Sequence, residues 1–255
     1  MDAAGLNDLF IVTLARELHD GERVFVGANQ ADVALAAYLA RQLWAPRLKV
    51  WAAATAQLDR GLDPLMVGRS GNDNLVVQLR GASFPQARAF EDVRGPVVFA
   101  GGLQVDARGN ANLAGIRDAS GGWKLRGPGS AGLASLTTLS PRFYIQVPSH
   151  DPRTLLERCS AISVLGDPTA RALVGLRPEA LVAVITPLAT FTPTPGGLRL
   201  TGLAPGVSRE VVAQRTGFAV EEMGEVSTRE PLSASESATL SELRAAMDAN
   251  RRGAR

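Results

Sequence analysis

Apolar residues in this chain fall into short, separated runs. Residues 23–26 (Arg-Val-Phe-Val), 48–54 (Leu-Lys-Val-Trp-Ala-Ala-Ala), 97–100 (Val-Val-Phe-Ala), 142–147 and 180–185 predict strands whose two faces both avoid water. Between them lie helical spacings. Leu9, Phe10, Val12, Leu14 and Leu18 place an amphipathic helix over residues 8–19, stopped by Asp20-Gly21. An alanine-rich helix over 32–43 is broken by Trp44-Ala45-Pro46, and strand, glycine loop, helix, strand is the opening of a βαβ unit. Residues 151–159 predict a further short helix. Residues 186–200, with a Pro/Gly turn at their centre, predict a hairpin. Leu240, Leu243 and Met247 follow a Ser-rich start, so the tail ends in an amphipathic helix with residues 250–255 frayed. The pattern as a whole predicts an α/β fold: a mostly parallel open sheet, helices on both faces and a late antiparallel hairpin. Residues 1–230 form the domain, and 231–255 a C-terminal helix and frayed tail.

One stretch organises the rest. Val97-Val98-Phe99-Ala100 meets Gly101-Gly102 and passes through Gln104-Val105-Asp106 into Ala107-Arg108-Gly109-Asn110, with Asn112 just beyond. Asp106 and Asn110 can bond nearby amides and fix a turn, and Gly109 supplies its left-handed corner. A strand whose carboxyl end opens into a polar loop is where ligands gather in open α/β sheets.

Composition narrows the function. The 255 residues carry a formal charge of +2, which leaves no electrostatic footprint for nucleic acid. No apolar run is long enough to span a membrane and the N-terminus lacks a signal core, so a cytoplasmic protein is expected. Cys159 is the single cysteine, and His19 and His150 the only histidines, which argues against an internal disulfide or a multi-histidine metal site. Gly27-Ala28-Asn29-Gln30 precedes a helix and can cradle an anion at its N-terminus, but it is no dinucleotide fingerprint.

The residues Gln104-Val105-Asp106-Ala107-Arg108-Gly109-Asn110-Ala111-Asn112 resemble the QVD-x-x-GN-x-N segment of class I coenzyme A transferases, specifically the B subunit of the glutaconate CoA-transferase type. That group includes the beta subunit of a hydrolase that opens the last rings of cholesterol. The opening GERVFVG, the Ala45-Pro46 entry to the second strand, the Gly127 to Gly132 segment and Thr216-Gly217-Phe218 match the family in the same order. The resemblance implies an acyl-CoA thioester as substrate, no permanently bound cofactor, and a homologous A subunit in a heterodimer or heterotetramer. It also implies a glutamate at the end of the second strand, whose carboxylate forms a glutamyl-CoA thioester. Here that place falls near Ala53, and no glutamate occurs between Glu22 and Glu91. CoA transfer and hydrolytic C–C or thioester cleavage therefore both stay open, as does a catalytically silent subunit that completes a partner's pocket.

Candidate substrate-binding positions are Gly27, Ala28, Asn29, Gln30, Gln104, Asp106, Asn110, Gly127, Gly129, Ser130 and Gly132. Backbone amides around the first four and the last four would hold a developing oxyanion; a tight crossover that needs glycine for packing is the equal alternative for the latter group. Gln104 and Asp106 would shape their loop rather than transfer protons. Asp59, Asp63 and His150 are the candidates for a general base within this chain, with a base from the A subunit as the alternative. His150 also suits a purely structural role at its turn, and Cys159 reads as a small buried apolar residue.

Overall fold

The computed structural model describes residues 2–27, 30–52, 95–130 and 132–253. It divides into two compact units: Ile11–Phe99 with Leu232–Arg255, and Met1–Phe10 with Ala100–Pro231. The strands of the central sheet run mostly parallel, as the apolar runs predict.

In the first unit, β1 (Arg23–Val26) pairs in parallel with β2 (Lys49–Ala52) and β3 (Val97–Ala100), with Val26 opposite Ala52 and Phe25 opposite Val98. Helix α2 (Ala31–Leu43) is buried at every position from Val33 to Ala40. Such a helix has no solvent face, and its alanines let neighbours approach closely. It packs against α6 (Ala234–Gly253). The start of α6 is a capping box: Ser233 Oγ accepts from Glu236 N at 3.2 Å and the Glu236 carboxylate accepts from Ser233 N at 2.7 Å. Arg16 Nε and Nη2 donate to the same carboxylate at 2.9 and 2.8 Å. Helix α6 runs through Gly253, so residues expected to fray at 250–253 are helical.

Helix α1 (Ala3–Arg16) starts five residues before the expected position, because Asp2 caps it by accepting Gly5 N at 2.9 Å. It closes with tight i to i−3 bonds at Glu17 and Leu18.

In the second unit, β8 (Phe143–Gln146) pairs in parallel with β10 (Leu181–Ile185), and β10, β11 (Ala189–Thr194) and β12 (Gly197–Leu203) form an antiparallel meander. The hairpin expected over 186–200 is β11–β12. Strand β13 (Glu221–Thr228) adds in parallel to β12 and was not legible in the pattern. Two small sheets lie apart from these strands: β4 (Gln104–Asp106) between β5 (Ala111–Asn112) and β9 (Leu155–Leu156), and the pair β6 (Gly115–Arg117) and β7 (Trp123–Arg126). Short helices α3 (Leu133–Leu139), α4 (Pro168–Leu173) and α5 (Arg209–Gln214) fill the connections.

The helix expected over 151–159 is absent. The Asp151 carboxylate takes Arg153 N at 2.8 Å and Ser149 Oγ at 2.9 Å, which closes one turn, and Leu155 is then drawn into β9 opposite Val105. The Leu155 carbonyl accepts Gly217 N at 2.7 Å, so its backbone serves two other segments instead of a helix. Among the described residues no helix is long and apolar enough to cross a membrane.

Candidate functional site

The exit of β1 is held by Gln30. Its Oε1 accepts Gly27 N and its Nε2 donates to Phe99 O, both at 2.7 Å, so one carboxamide ties the end of β1 to β3. Gln30 is also the N-cap residue of α2, yet its side chain makes no bond to the helix. The first turn of α2 therefore presents backbone N–H groups at the carboxyl end of β1. Because Val26 pairs with Ala52, the chain leaves β2 beside Gly27. Ala28 and Asn29, the position near Ala53, and Asp59 and Asp63 lie outside the described residues.

The turn after β4 is built by two side chains. Asp106 Oδ1 accepts Arg108 N and Asn110 N at 3.0 Å, and Oδ2 accepts Asn110 Nδ2 at 3.2 Å and Cys159 N at 3.4 Å. Asn110 Oδ1 accepts Gly166 N at 3.0 Å and Asp167 N at 3.2 Å, and Gly109 holds the left-handed corner at φ 82°. A second knot joins Gln104, Asn112 and Ser160. Gln104 Oε1 accepts Asn112 Nδ2 at 2.7 Å, Ser160 Oγ at 2.9 Å and Ser160 N at 3.1 Å. Gln104, Asp106, Asn110 and Asn112 are all buried.

This loop does not crown the carboxyl ends of β8 and β10. A Cβ on Gly109 would lie 3.0 Å from Leu181 Cδ2 and 3.3 Å from Leu198 Cδ2, which places the turn at the amino end of β10. There it borders a cleft of about 740 Å³ lined by Asp106, Arg108, Asn110, Arg158, Cys159 and Asp167. Arg108 Nε sits 3.4 Å from the Asp167 carboxylate. Burial, then the charge of Asp106, pushes the Cys159 thiol far up, so it stays protonated and unreactive.

Two of the glycine amides after β7 are engaged within the chain. Gly127 N donates to Ala114 O at 3.0 Å and Gly129 N to Leu113 O at 3.3 Å, so these amides bond the base of the β6–β7 hairpin. Ser130 O accepts Leu133 N at 2.8 Å, and Gly132, at φ 82°, is the N-cap of α3, a helix of only seven residues.

His150 lies beyond the carboxyl end of β8 and is buried, 5% exposed. Its Nδ1 is 2.8 Å from Thr186 Oγ1 and its Nε2 is 3.0 Å from Thr216 Oγ1. Each hydroxyl also reaches a backbone acceptor, Thr216 Oγ1 the Val212 carbonyl at 2.8 Å and Thr186 Oγ1 the Ala189 carbonyl at 3.0 Å. Burial, then the nearby Arg215 charge, lowers the imidazole from 6.5 to about 4. With both ring nitrogens engaged, a neutral structural histidine fits this geometry. Arg229 brackets the same rim: Nη1 donates to Thr186 O at 2.8 Å, and Nε and Nη2 to Thr190 Oγ1 at 3.0 and 2.7 Å. Desolvation lowers its guanidinium to about 10. Thr186, Ser160 and Arg229 carry no local pattern that would single them out, since only the fold brings them to these partners. Among the described residues no group of three His, Cys, Asp or Glu could hold a metal ion.

No protein-family model matches the chain. A curated relative, the B subunit of 3-oxoadipate CoA-transferase from Pseudomonas knackmussii, is 29% identical over 229 residues, which covers 86% of this chain and 85% of that protein. Among solved structures, the decarboxylase AibA/AibB superimposes with a TM-score of 0.76 at 26% identity, over 92% of each chain. The chain is thus similar, along most of its length, to a class I coenzyme A transferase B subunit. Glutaconate coenzyme A-transferase from Acidaminococcus fermentans shares this coenzyme A transferase fold with a TM-score of 0.72 at 21% identity, over 94% of this chain and 93% of that one. Rhodococcus jostii IpdAB shares it at 0.67 and 20%, over 95% and 94%.

Proposed function

We propose that this chain is the B-type member of a heteromeric enzyme that cleaves a C–C or thioester bond in an acyl-CoA, without forming a glutamyl thioester on its own second strand. The observation that carries this reading is the absence of any glutamate between Glu22 and Glu91, in a chain otherwise similar to CoA-transferase B subunits along most of its length. A carboxylate nucleophile at the exit of β2 is what a ping-pong transfer requires. The likeness to a decarboxylase, an enzyme of C–C cleavage, supports the same direction.

Cleavage next to a thioester leaves its electron pair on the α-carbon, delocalised onto the thioester oxygen. That oxygen needs preorganised donors. The amides of the first turn of α2 suit this role, since Gln30 fixes the loop without capping the helix. His150 and Cys159 are unsuited to proton transfer, so the base comes from the A subunit or from Asp59 or Asp63. No resident cofactor is required, because coenzyme A arrives with the substrate. The same engaged side chains favour one second reading, a silent B-type chain that completes an active partner's pocket.

The test is intact mass of the reconstituted A–B pair after incubation with a panel of acyl-CoA thioesters and borohydride trapping. Substrate consumed with no CoA adduct on either subunit is the expected result. A CoA-sized adduct on a carboxylate would overturn it in favour of CoA transfer. No adduct and no turnover across the panel would favour the silent subunit.

A further inference from the structure

At the carboxyl end of β10, four strands of the second unit bring their registers into one row. Ile185 on β10 lies opposite Thr190 on β11, Thr190 opposite Gly202 on β12, and Gly202 opposite Ser227 on β13. Residues directly opposite one another share a face of the sheet. Thr190 and Ser227 therefore flank Gly202 on one face. Phe191 points to the other, where its ring lies 6.2 Å from that of His150. The nearest neighbours of a Cβ on Gly202 would be Thr190 and Ser227, at 3.5 to 3.6 Å, so a side chain would fit and its absence leaves a shallow depression.

Arg229, just past the end of β13, is anchored to this row. Nε and Nη2 donate to Thr190 Oγ1 and Nη1 to Thr186 O, so three of its five N–H groups are used and both acceptors are neutral oxygens. One N–H remains on each terminal nitrogen. The side chain is half-buried and makes no ion pair among the described residues, so the desolvation of its charge has no carboxylate to offset it. A second cation stands nearby. Arg215, exposed and likewise without a carboxylate partner among the described residues, precedes Thr216, which meets His150, and the charges of Arg215 and Arg229 both reach that imidazole. Asp151, one residue beyond His150, is turned to Ser149 and Arg153 instead. The rim thus carries two positive charges beside a neutral histidine.

We propose that this rim is a binding site for the carboxylate of a small organic acid, gripped by the two remaining N–H groups of Arg229 beside Gly202, with Arg215 adding attraction from a distance. The site stands on the second unit alone and does not depend on the heteromeric reading. One N–H on each terminal nitrogen is the count that a two-oxygen, planar carboxylate takes up bidentately. A phosphate monoester brings close to two charges and three acceptor oxygens, more than a single fork can satisfy. The guanidinium is held by Thr186 and Thr190 before any ligand arrives, so little side-chain freedom is lost on binding. Its place also fits, since ligands gather at the carboxyl ends of strands in open α/β sheets. An arginine that merely ties β13 to β10 and β11 accounts for the three bonds made, but it leaves a desolvated cation without a counter-charge.

The test is NMR of the full chain, in which His19 and His150 are the only histidines and so give two imidazole Cε1–H signals. His150 shares Thr186 with Arg229 and reports on the site, while exposed His19 is the internal control. Titration with succinate at neutral pH, against sodium chloride at matched ionic strength, is expected to move the His150 signal along a saturable curve and leave His19 in place. Arg229→Met should raise the half-saturating concentration by about 10-fold or more, and Arg229→Lys, which keeps the charge but loses the fork, by roughly 3- to 5-fold. Both variants also lose ties to Thr186 and Thr190, so they are compared only where circular dichroism matches wild type; otherwise the wild-type curve decides. No saturable movement of His150 in wild type up to about 100 mM succinate would overturn the proposal. So would an unchanged curve in folded Arg229→Met, which would place the anion elsewhere. Tighter binding of inorganic phosphate than of succinate would overturn the assignment to a carboxylate.

Discussion

Replacing Asp106 by asparagine tests whether the most family-like stretch of the chain acts through architecture. The carboxylate has four donors, Arg108 N, Asn110 N, Asn110 Nδ2 and Cys159 N, between 3.0 and 3.4 Å. In Asp106→Asn one oxygen can keep the first two donors, at a loss of about 1 kcal/mol because the acceptor is no longer charged. The new NH2 then faces Asn110 Nδ2 and Cys159 N, donor against donor. Asn110 cannot turn its amide to relieve this, because its Oδ1 is already held by Gly166 N and Asp167 N. Two buried donors are left unpaired at about 1–2 kcal/mol each, so the sum is about 3–5 kcal/mol. For a chain of this size that corresponds to a thermal midpoint lower by roughly 6–20 °C. Urea and thermal unfolding followed by circular dichroism read the effect. A loss below about 1 kcal/mol in a variant that keeps its circular dichroism would refute the reasoning, since the turn would then not depend on these bonds.

Three further perturbations follow from the same geometry. The folded His150 imidazole, near 4, takes up its proton at lower pH than the unfolded 6.5, so its contribution is complete above 6.5 and is lost as pH falls toward 4. Between pH 7 and pH 4.5 wild type should lose about 2 kcal/mol more unfolding free energy than His150→Gln, and equal losses would contradict the assignment. A Cβ at Gly166 would collide with the Gly109 carbonyl, whereas Gly121, at φ 85°, has open space around it. Gly166→Ala should therefore cost more than about 3 kcal/mol and Gly121→Ala about 1 kcal/mol, as judged from urea midpoints, and similar costs would show that Gly109 can shift aside. Glu236→Ala removes both the capping box of α6 and the Arg16 pair, and should cost about 2 kcal/mol in the same assay, with no change as the contrary outcome.

The sequence was most informative where physics is local. The apolar runs at 23–26 and 97–100 coincide with β1 and β3, because a strand buried on both faces needs no partner to be recognised. Leu240, Leu243 and Met247 placed α6, and Asp106, Gly109 and Asn110 announced a turn that the structure forms with the bonds those residue types favour. Local reasoning failed where a segment's backbone is claimed from far away. Residues 151–159 have helical spacing but are divided between Val105 and Gly217, β13 exists only because β12 offers it an edge, and α1 extends to Asp2 through a cap that the apolar pattern does not reach.

The same division holds for the site. Residue types and their order along the chain pointed to a coenzyme A transferase relative and to the missing glutamate, since both are facts of composition and spacing. Only the tertiary structure decided that the Asp106 turn sits at the amino end of β10, that His150 has both ring nitrogens engaged, and that Ser160 joins the Gln104 and Asn112 knot. Those outcomes depend on Leu181, Thr186, Thr216 and Ser160, each at least 36 positions along the chain from the group it meets, and no spacing in one dimension encodes which of many threonines and serines will arrive.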